Sequence, residues 1–96
     1  MMIMTWWLYY LDEIMPLDIS AYTIDDAIGL GMAIAKELLG NVKRYCFYEG
    51  NSELIIEYWS SDDKAVKIIN ADEPRSALMR YYEAERAGLI TCKEIN

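Results

Sequence analysis

The chain has 96 residues, of which 54% are hydrophobic and 26% are charged, as in globular proteins rather than disordered chains. Its length fits one domain with a single core, so we predict one α+β domain over residues 1–96. Sixteen acidic residues against nine basic ones give a formal net charge of −7, which repels phosphate backbones and anionic membranes. Direct binding to nucleic acid or to a membrane is therefore not expected.

The cysteine and histidine content bears on metal binding and on cellular compartment. Cys46 and Cys92 lie far apart, belong to no Cys-x-x-Cys unit, and are accompanied by no histidine, which excludes a structural zinc site. A reduced, cytoplasmic protein is the simplest interpretation, and one disulfide remains an open alternative. The apolar run at residues 1–11 lacks a basic leading region and is shorter than the ~20 residues that span a bilayer. Neither a signal peptide nor a membrane helix is predicted.

The first predicted element is a strand over residues 3–11. This stretch is continuously apolar and rich in aromatic residues, which is typical of a strand covered on both faces and so interior to its sheet. Residues 12–22 follow, with Pro16 among acidic and large apolar side chains. That mixture indicates a loop that packs against the core.

A helix is predicted over residues 24–39. Thr23 is a suitable N-cap, and Gly40 can take the left-handed conformation that ends a helix. Between positions 27 and 38 the polar residues are Lys36 and Glu37, so most of the helix should be buried.

Small residues recur along this helix. Ala27, Gly31 and Ala35 are spaced by four, which predicts a close approach of the helix backbone to the sheet. The run that starts at Gly29 begins like a dinucleotide-binding fingerprint, but Ile34 stands where the third glycine belongs, and the run lies inside a helix. Packing is therefore preferred to phosphate binding.

A β-hairpin is the next prediction. Residues 42–49 and 52–59 flank Gly50-Asn51, a pair that tolerates positive φ and suits a two-residue turn. This turn fixes four cross-strand pairs, Tyr45 with Ile56, Phe47 with Leu54, Arg44 with Glu57, and Tyr48 with Glu53. The first two pairs are placed on the core face and the last two on the outer face.

A third strand, about residues 65–69, is predicted to continue the meander. If Glu57 lies opposite Lys67, the apolar residues of the strand join the core face, and Arg44, Glu57 and Lys67 form a charge ladder outside. A register shifted by one residue buries the lysine charge, at a cost of several kcal/mol, so the ladder is predicted. Glu53 and Glu57 are accordingly expected to be solvated carboxylates of the sheet, one of them in a salt bridge.

A second helix is predicted over residues 73–87. Asp72 is a suitable N-cap, Pro74 is tolerated in the first turn, and Gly88 ends the helix. The residues predicted to face solvent are Arg75, Arg80, Glu83 and Arg86. The tail, residues 89–96, is compatible with a marginal edge strand.

The element order β-α-β-β-β-α predicts an α+β fold, with a three-stranded antiparallel meander, an N-terminal strand, and two helices packed on the sheet. The outer face of the meander retains apolar side chains such as Val42, Ile55 and Trp59. A solvated face should not be that apolar, so the second helix, another copy of the chain or a partner should cover it.

The chain shows no recognisable catalytic spacing. Its serines and cysteines have no histidine to activate them, and no Gly-x-Ser-x-Gly elbow is present. Its four acidic doublets are explained by helix starts and turns rather than by metal binding. We predict no catalytic residue, no metal and no cofactor. A small-molecule pocket between the first helix and the sheet stays a further alternative.

The aromatic composition is unusual, with eight tyrosines and three tryptophans against one phenylalanine, and there are six methionines. Tyrosine and tryptophan keep a polar atom that seeks a partner, and methionine adapts to irregular contacts. This favours a contact surface, although the rim of a small core has the same composition.

These observations support two functional hypotheses. The first is a non-catalytic acidic module that occupies the basic, nucleic-acid-binding surface of a partner protein. Phage-encoded inhibitors of host defence, such as anti-CRISPR or anti-restriction proteins, offer an analogy of size and charge without a shared motif. The predicted partner-binding residues are Asp12, Glu13, Glu49, Glu53, Asp62, Asp63 and Trp59.

The alternative is a structural or regulatory module that forms homodimers through the apolar outer sheet face, with Trp59, Ile55 and Val42 at its centre. In that case the acidity serves solubility. Charge docking weakens with ionic strength, whereas hydrophobic association does not, so salt distinguishes the two hypotheses.

Overall fold

A computed structural model describes residues 4–95 of the chain. In chain order its elements are β1 (Trp6–Tyr10), β2 (Glu13–Pro16), α1 (Ile24–Leu39), β3 (Arg44–Gly50), β4 (Glu53–Trp59), β5 (Ala65–Asn70), α2 (Pro74–Arg86) and β6 (Thr91–Glu94). The strands form one antiparallel sheet in the order β2-β1-β5-β4-β3-β6. This confirms the predicted α+β fold, its meander, and the interior position of the first strand. Residue 3, where that strand was predicted to start, lies outside the described residues.

Two edge strands extend the predicted sheet. The prediction of a loop over residues 12–22 is wrong at its start, because β2 pairs with β1 through a tight turn at Leu11 and Asp12. Both turn residues have positive φ, 52° and 62°, as hairpin turns require. Pro16 is tolerated because it ends an edge strand. At the other edge, β6 pairs with β3. The tail therefore forms an edge strand, as its sequence allowed.

The predicted hairpin forms, but its turn is one residue later than expected. Asn51 and Ser52 take the positive φ values, 54° and 62°, while Gly50 stays in β3. A Cβ on Gly50 would lie 2.8 Å from Cζ of Tyr48, so this glycine makes room for an aromatic ring instead of forming the turn.

The later turn changes every predicted pair of the hairpin. The observed partners are Tyr45 with Tyr58, Phe47 with Ile56, Arg44 with Trp59, and Tyr48 with Ile55. Each partner has moved by two residues, and side chains alternate between faces with a period of two. The predicted pairs are therefore wrong, whereas the predicted faces are correct.

The two helices cover opposite faces of the sheet. On one face α1 packs against a cluster that includes Ile56, Val66 and Ile68. On the other face α2 packs against Ile55 and Ile69, both of which are fully buried. The second helix is thus what covers the apolar outer face of the meander.

This arrangement removes the surface on which the homodimer hypothesis rested. Ile55 lies beneath α2, and Val42 is buried on the α1 side of the sheet. Trp59 is half-buried, with the Arg44 guanidinium 5.0 Å from the centre of its ring. These three side chains do not form one exposed face.

The helix ends follow their sequence signals, with one correction. Thr23 caps α1 by accepting a hydrogen bond from the Asp26 amide at 3.1 Å, and Gly40 ends the helix with φ 85°. In α2 the N-cap is Glu73 rather than Asp72, because the Glu73 carboxylate accepts from the Arg75 amide at 3.3 Å. The capping role thus shifts by one residue within an acidic doublet.

The predicted close approach of α1 to the sheet is confirmed. A Cβ on Gly31 would lie 2.9 Å from Cζ of Tyr58, closer than carbon atoms can pack. The Tyr58 hydroxyl donates to the Ile28 carbonyl at 2.8 Å, so the ring is held against the helix backbone. Ala27 and Ala35, one turn away on either side, are fully buried.

The two cysteines form a disulfide across the sheet edge. Cys46 in β3 lies directly opposite Cys92 in β6, and the structure joins them. The interpretation that both thiols are reduced is therefore corrected. Among residues 4–95, no helix is both long and apolar enough to cross a membrane.

Candidate functional site

Five of the seven predicted partner-binding residues lie at one end of the sheet. β1 and β4 run in the same direction, because each is antiparallel to β5 between them. The segments that follow β1 and β4 therefore lie at the same end of the sheet. They carry Asp12, Glu13, Asp62, Asp63 and, at the last position of β4, Trp59, and we call these five residues the acidic end.

The other two predicted residues lie at the opposite end of the sheet. Glu49 and Glu53 flank the β3–β4 hairpin turn, and only Glu49 of these two is exposed. Glu53 is 8% exposed, and its carboxylate accepts from Nε of Arg80 at 2.7 Å and from Nη2 at 2.5 Å. Glu53 thus links β4 to α2, and the expectation that it is a solvated carboxylate is wrong.

The side chain of Arg80, which was predicted to face solvent, is 37% exposed, and its guanidinium reaches the Glu53 carboxylate on the sheet. A bidentate pair of this kind fixes both the position and the rotation of the helix. Sequence reasoning missed the pair because its members are 27 residues apart and neither spacing nor hydropathy connects them.

A second ion pair lies beneath α2. Lys67 Nζ is 3.1 Å from Glu57 Oε2, and the Tyr81 hydroxyl donates to Glu57 Oε1 at 3.1 Å. Glu57 lies directly opposite Lys67, which confirms the predicted register of β4 and β5. The expectation of a solvated ladder is wrong, however, because the side chains of Glu57 and Lys67 are 6% and 11% exposed and Arg44 lies opposite Trp59 instead.

Two aromatic rings complete the surroundings of Lys67. Its Nζ lies 5.2 Å from the ring centre of Tyr9 and 5.4 Å from that of Tyr82. Burial lowers the pKa of Lys67, but the Glu57 carboxylate and Tyr82 raise it by more, so the net pKa lies above its ordinary value of 10.5. Lys67 is held in its charged form.

The buried ion pairs determine how charge is distributed over the molecule. Two of the sixteen acids, Glu53 and Glu57, are buried, each with its own cation, and all the others are exposed. The exposed basic residues are Lys36, Lys64, Arg75, Arg86 and Lys93. The interior is thus electrically neutral, and the charge of −7 belongs to the surface.

At the acidic end, the carboxylates differ in their partners. Asp63 lies 3.0 Å from Lys43 Nζ, an exposed pair of small energetic value. Asp12, Glu13 and Asp62 form no salt bridge within residues 4–95. They are available to a basic partner.

Hydrogen bonds within the β4–β5 turn fix the backbone that carries its carboxylates. The buried Ser60 hydroxyl accepts from the amides of Asp62 and Lys64 at 3.2 and 3.1 Å. The Asn41 side chain accepts from the Ser61 amide at 2.8 Å, which ties the turn to the segment after α1. A preformed turn loses little conformational entropy on binding.

A cavity of about 330 Å³ opens at the same end, between the β1–β2 turn and the start of β5. Tyr9, Asp12, Lys64 and Lys67 are among its lining residues. It is large enough for a partner's side chain beside the carboxylates. Within residues 4–95, no group of three or more His, Cys, Asp or Glu side chains is arranged to hold a metal ion.

Three buried groups near α1 and α2 give the protein a predictable response to alkali. Burial raises the pKa of Tyr58 and of Tyr81 above the ordinary value of 10.0, and the Glu57 carboxylate raises that of Tyr81 further. The pKa of Lys67 also lies above its ordinary value. A folded-state pKa above the unfolded value contributes stability that is complete below the unfolded value and is lost as pH rises through the folded one.

We therefore expect the free energy of unfolding to be level up to about pH 10 and to fall above it. Urea unfolding between pH 8 and 11.5 measures the free energy of unfolding, and tyrosinate absorbance at 295 nm measures the ionisation of the tyrosines. Tyr58 and Tyr81 should ionise only as the protein unfolds. Ionisation of all eight in one step, with the fold intact, would contradict the assignment.

Comparison with known proteins finds no family model, no curated protein and no solved structure that matches this chain. The function is therefore argued from the structure alone.

Proposed function

We propose that the protein is a non-catalytic, acidic protein-binding module that docks on the basic surface of a nucleic-acid-handling protein. The observation that carries the proposal is the division of charge between interior and surface. The buried acids have their own cations, so the whole excess negative charge is exposed to solvent. A surface of this kind attracts basic proteins and accelerates their association.

The acidic end is the proposed contact surface. Its carboxylates form two pairs, one after strand β1 and one after strand β4. Because β5 lies between these strands, β1 and β4 are two strand spacings, about 10 Å, apart. A nucleic-acid-binding groove is shaped for phosphates, which are negative charges repeated along a backbone. The separated carboxylates at the acidic end resemble phosphates in being spaced negative charges. Trp59, stacked with Arg44, adds an aromatic side chain beside them.

The proposal includes a biological setting. Inhibition of a host-defence nuclease by occupation of its nucleic-acid groove is one role that fits a small acidic module. In this proposal the protein acts in the cytoplasm with its partner, in a compartment where the Cys46–Cys92 disulfide is subject to reduction. The support for this setting is size and charge.

The decisive experiment combines capture with competition. Immobilised protein is exposed to a cell lysate in 50 mM salt, with and without an excess of duplex DNA. The proposal expects bound protein that is released both by duplex DNA and by 0.5 M salt, because both compete for the same basic surface. Capture that resists both would overturn it.

A pair of matched variants locates the surface with one captured, purified partner. Asp12→Asn, Glu13→Gln and Asp62→Asn together should weaken binding about tenfold, at up to ~0.5 kcal/mol per exposed charge. Asp18→Asn, Asp72→Asn and Glu85→Gln make the same change of net charge at exposed positions elsewhere. Equal weakening by both triples would show that the acidic end is not the contact surface.

A further inference from the structure

Strand β6 is the least embedded element of the sheet. It has four residues, lies at the edge beside β3, and all four side chains are exposed. Four-residue pairing at an edge is marginal on its own. Nearby anchors are the Ile95 amide, which donates to the Lys43 carbonyl at 2.7 Å, and the half-buried side chains of Ile90 and Ile95.

The disulfide supplies the covalent attachment of this strand. It joins Cys92 in β6 to Cys46 in β3, 46 positions earlier in the chain. Cys46 is 4% exposed, whereas Cys92 is exposed. Cys92 is thus an exposed residue of an edge strand, and access from solvent is one of the factors that govern thiol–disulfide exchange.

We propose that the Cys46–Cys92 bond is a redox-controlled latch that holds β6 over the edge of β3. A dithiol reductant attacks the bond, forms a mixed disulfide, and then closes its own disulfide. Two electrons and two protons pass to the protein, which gains two cysteine thiols. With the bond broken, β6 is held by its short ladder and two apolar anchors, and it opens far more often than the rest of the sheet.

The opening has a structural consequence for β3. The backbone groups of residues 44–47 that pair with β6 become an unpaired sheet edge, which is a template for another strand. The release also separates Glu94 from its cross-strand partner Arg44, next to Trp59. The latch does not depend on the proposed function, because β6 contains none of the five residues of the acidic end.

Amide hydrogen exchange tests the latch on the whole protein. Exchange is followed in the oxidised protein and after reduction with dithiothreitol, and the rates of β6 and Ile95 amides are divided by those of β4 amides. We expect this ratio to rise at least tenfold on reduction, because β6 opens locally while β4 needs global unfolding. A smaller rise, including one in which all amides accelerate together, would overturn the proposal.

The double variant Cys46→Ala/Cys92→Ala repeats the test without reductant. It should show the high ratio of the reduced protein under oxidising conditions. Alkylation gives an independent readout, since Cys46 in the reduced protein should react with iodoacetamide within about tenfold of the Cys92 rate if β6 opens. A Cys46 that stays a thousandfold slower would show that the strand remains in place.

Discussion

Replacing Lys67 with methionine is expected to lower the free energy of unfolding by about 3–5 kcal/mol at pH 7, as when one partner of a buried ion pair is removed. Glu57 is 4% exposed, and the variant leaves its carboxylate with the Tyr81 hydroxyl as its remaining polar contact. The aromatic contacts of the ammonium group with Tyr9 and Tyr82 are lost as well. Urea unfolding followed by circular dichroism measures the change.

Two further variants separate the charge effect from packing. Lys64→Met makes the same substitution at an exposed position three residues earlier and should change stability by less than about 0.5 kcal/mol. Glu57→Gln combined with Lys67→Met removes both charges and keeps an acceptor for Tyr81, so it should recover much of the loss. Equal stability of the single variant and the natural protein would show that the pair is not buried in solution.

Replacing Gly31 with leucine is expected to destabilise the protein by about 3 kcal/mol or more, because the site has no room even for a Cβ atom. The first carbon would overlap the Tyr58 ring, and displacement of that ring breaks its hydrogen bond to the Ile28 carbonyl. The loss outweighs the ~1 kcal/mol gained when a helical glycine is replaced. Thermal and urea unfolding measure the effect.

Gly29 provides the matched control in the same helix. A Cβ at this position would have no atom within 4 Å, so Gly29→Leu meets open space and gains helix propensity. It should leave stability within about 1 kcal/mol of the natural protein or raise it. Similar losses at both positions would indicate that glycine matters through the helix backbone rather than through contact with Tyr58.

The local features of the fold could be read from sequence because neighbouring residues determine them. Thr23 and Gly40 mark the ends of α1, and the positions spaced by four from Ala27 identify its packing face. The opposition of Glu57 and Lys67 followed from the cost of burying a lone charge, and the structure has that register. These inferences needed no knowledge of the rest of the chain.

Errors arose where two signals competed within a few residues. Gly50-Asn51 and Asn51-Ser52 are both acceptable turns, and the choice depends on the Tyr48 ring that lies over Gly50. The turn at Leu11 and Asp12 carries no glycine or asparagine, so its sequence did not indicate a hairpin.

The structure brings some of the predicted partner-binding residues together and separates others. Five of them lie at one end of the sheet because strand direction places the β1–β2 and β4–β5 turns together. The exposure of Glu53 was predicted wrongly because a carboxylate on a strand looks solvent-exposed until its partner on α2, Arg80, is known. Lys43, which pairs with Asp63 across 20 positions, had no local signal either.

By itself, the sequence determined the net charge, the order of six of the eight elements within residues 4–95, the alternation of faces in the predicted hairpin and the close approach of α1, since each depends on residue type and short spacing. Only the tertiary structure decided which helix covers which face, which two acids are neutralised inside, and that Cys46 meets Cys92. Those features arise between residues far apart in the chain. Burial and pairing change the meaning of a charge or a thiol, and both are properties of the folded chain.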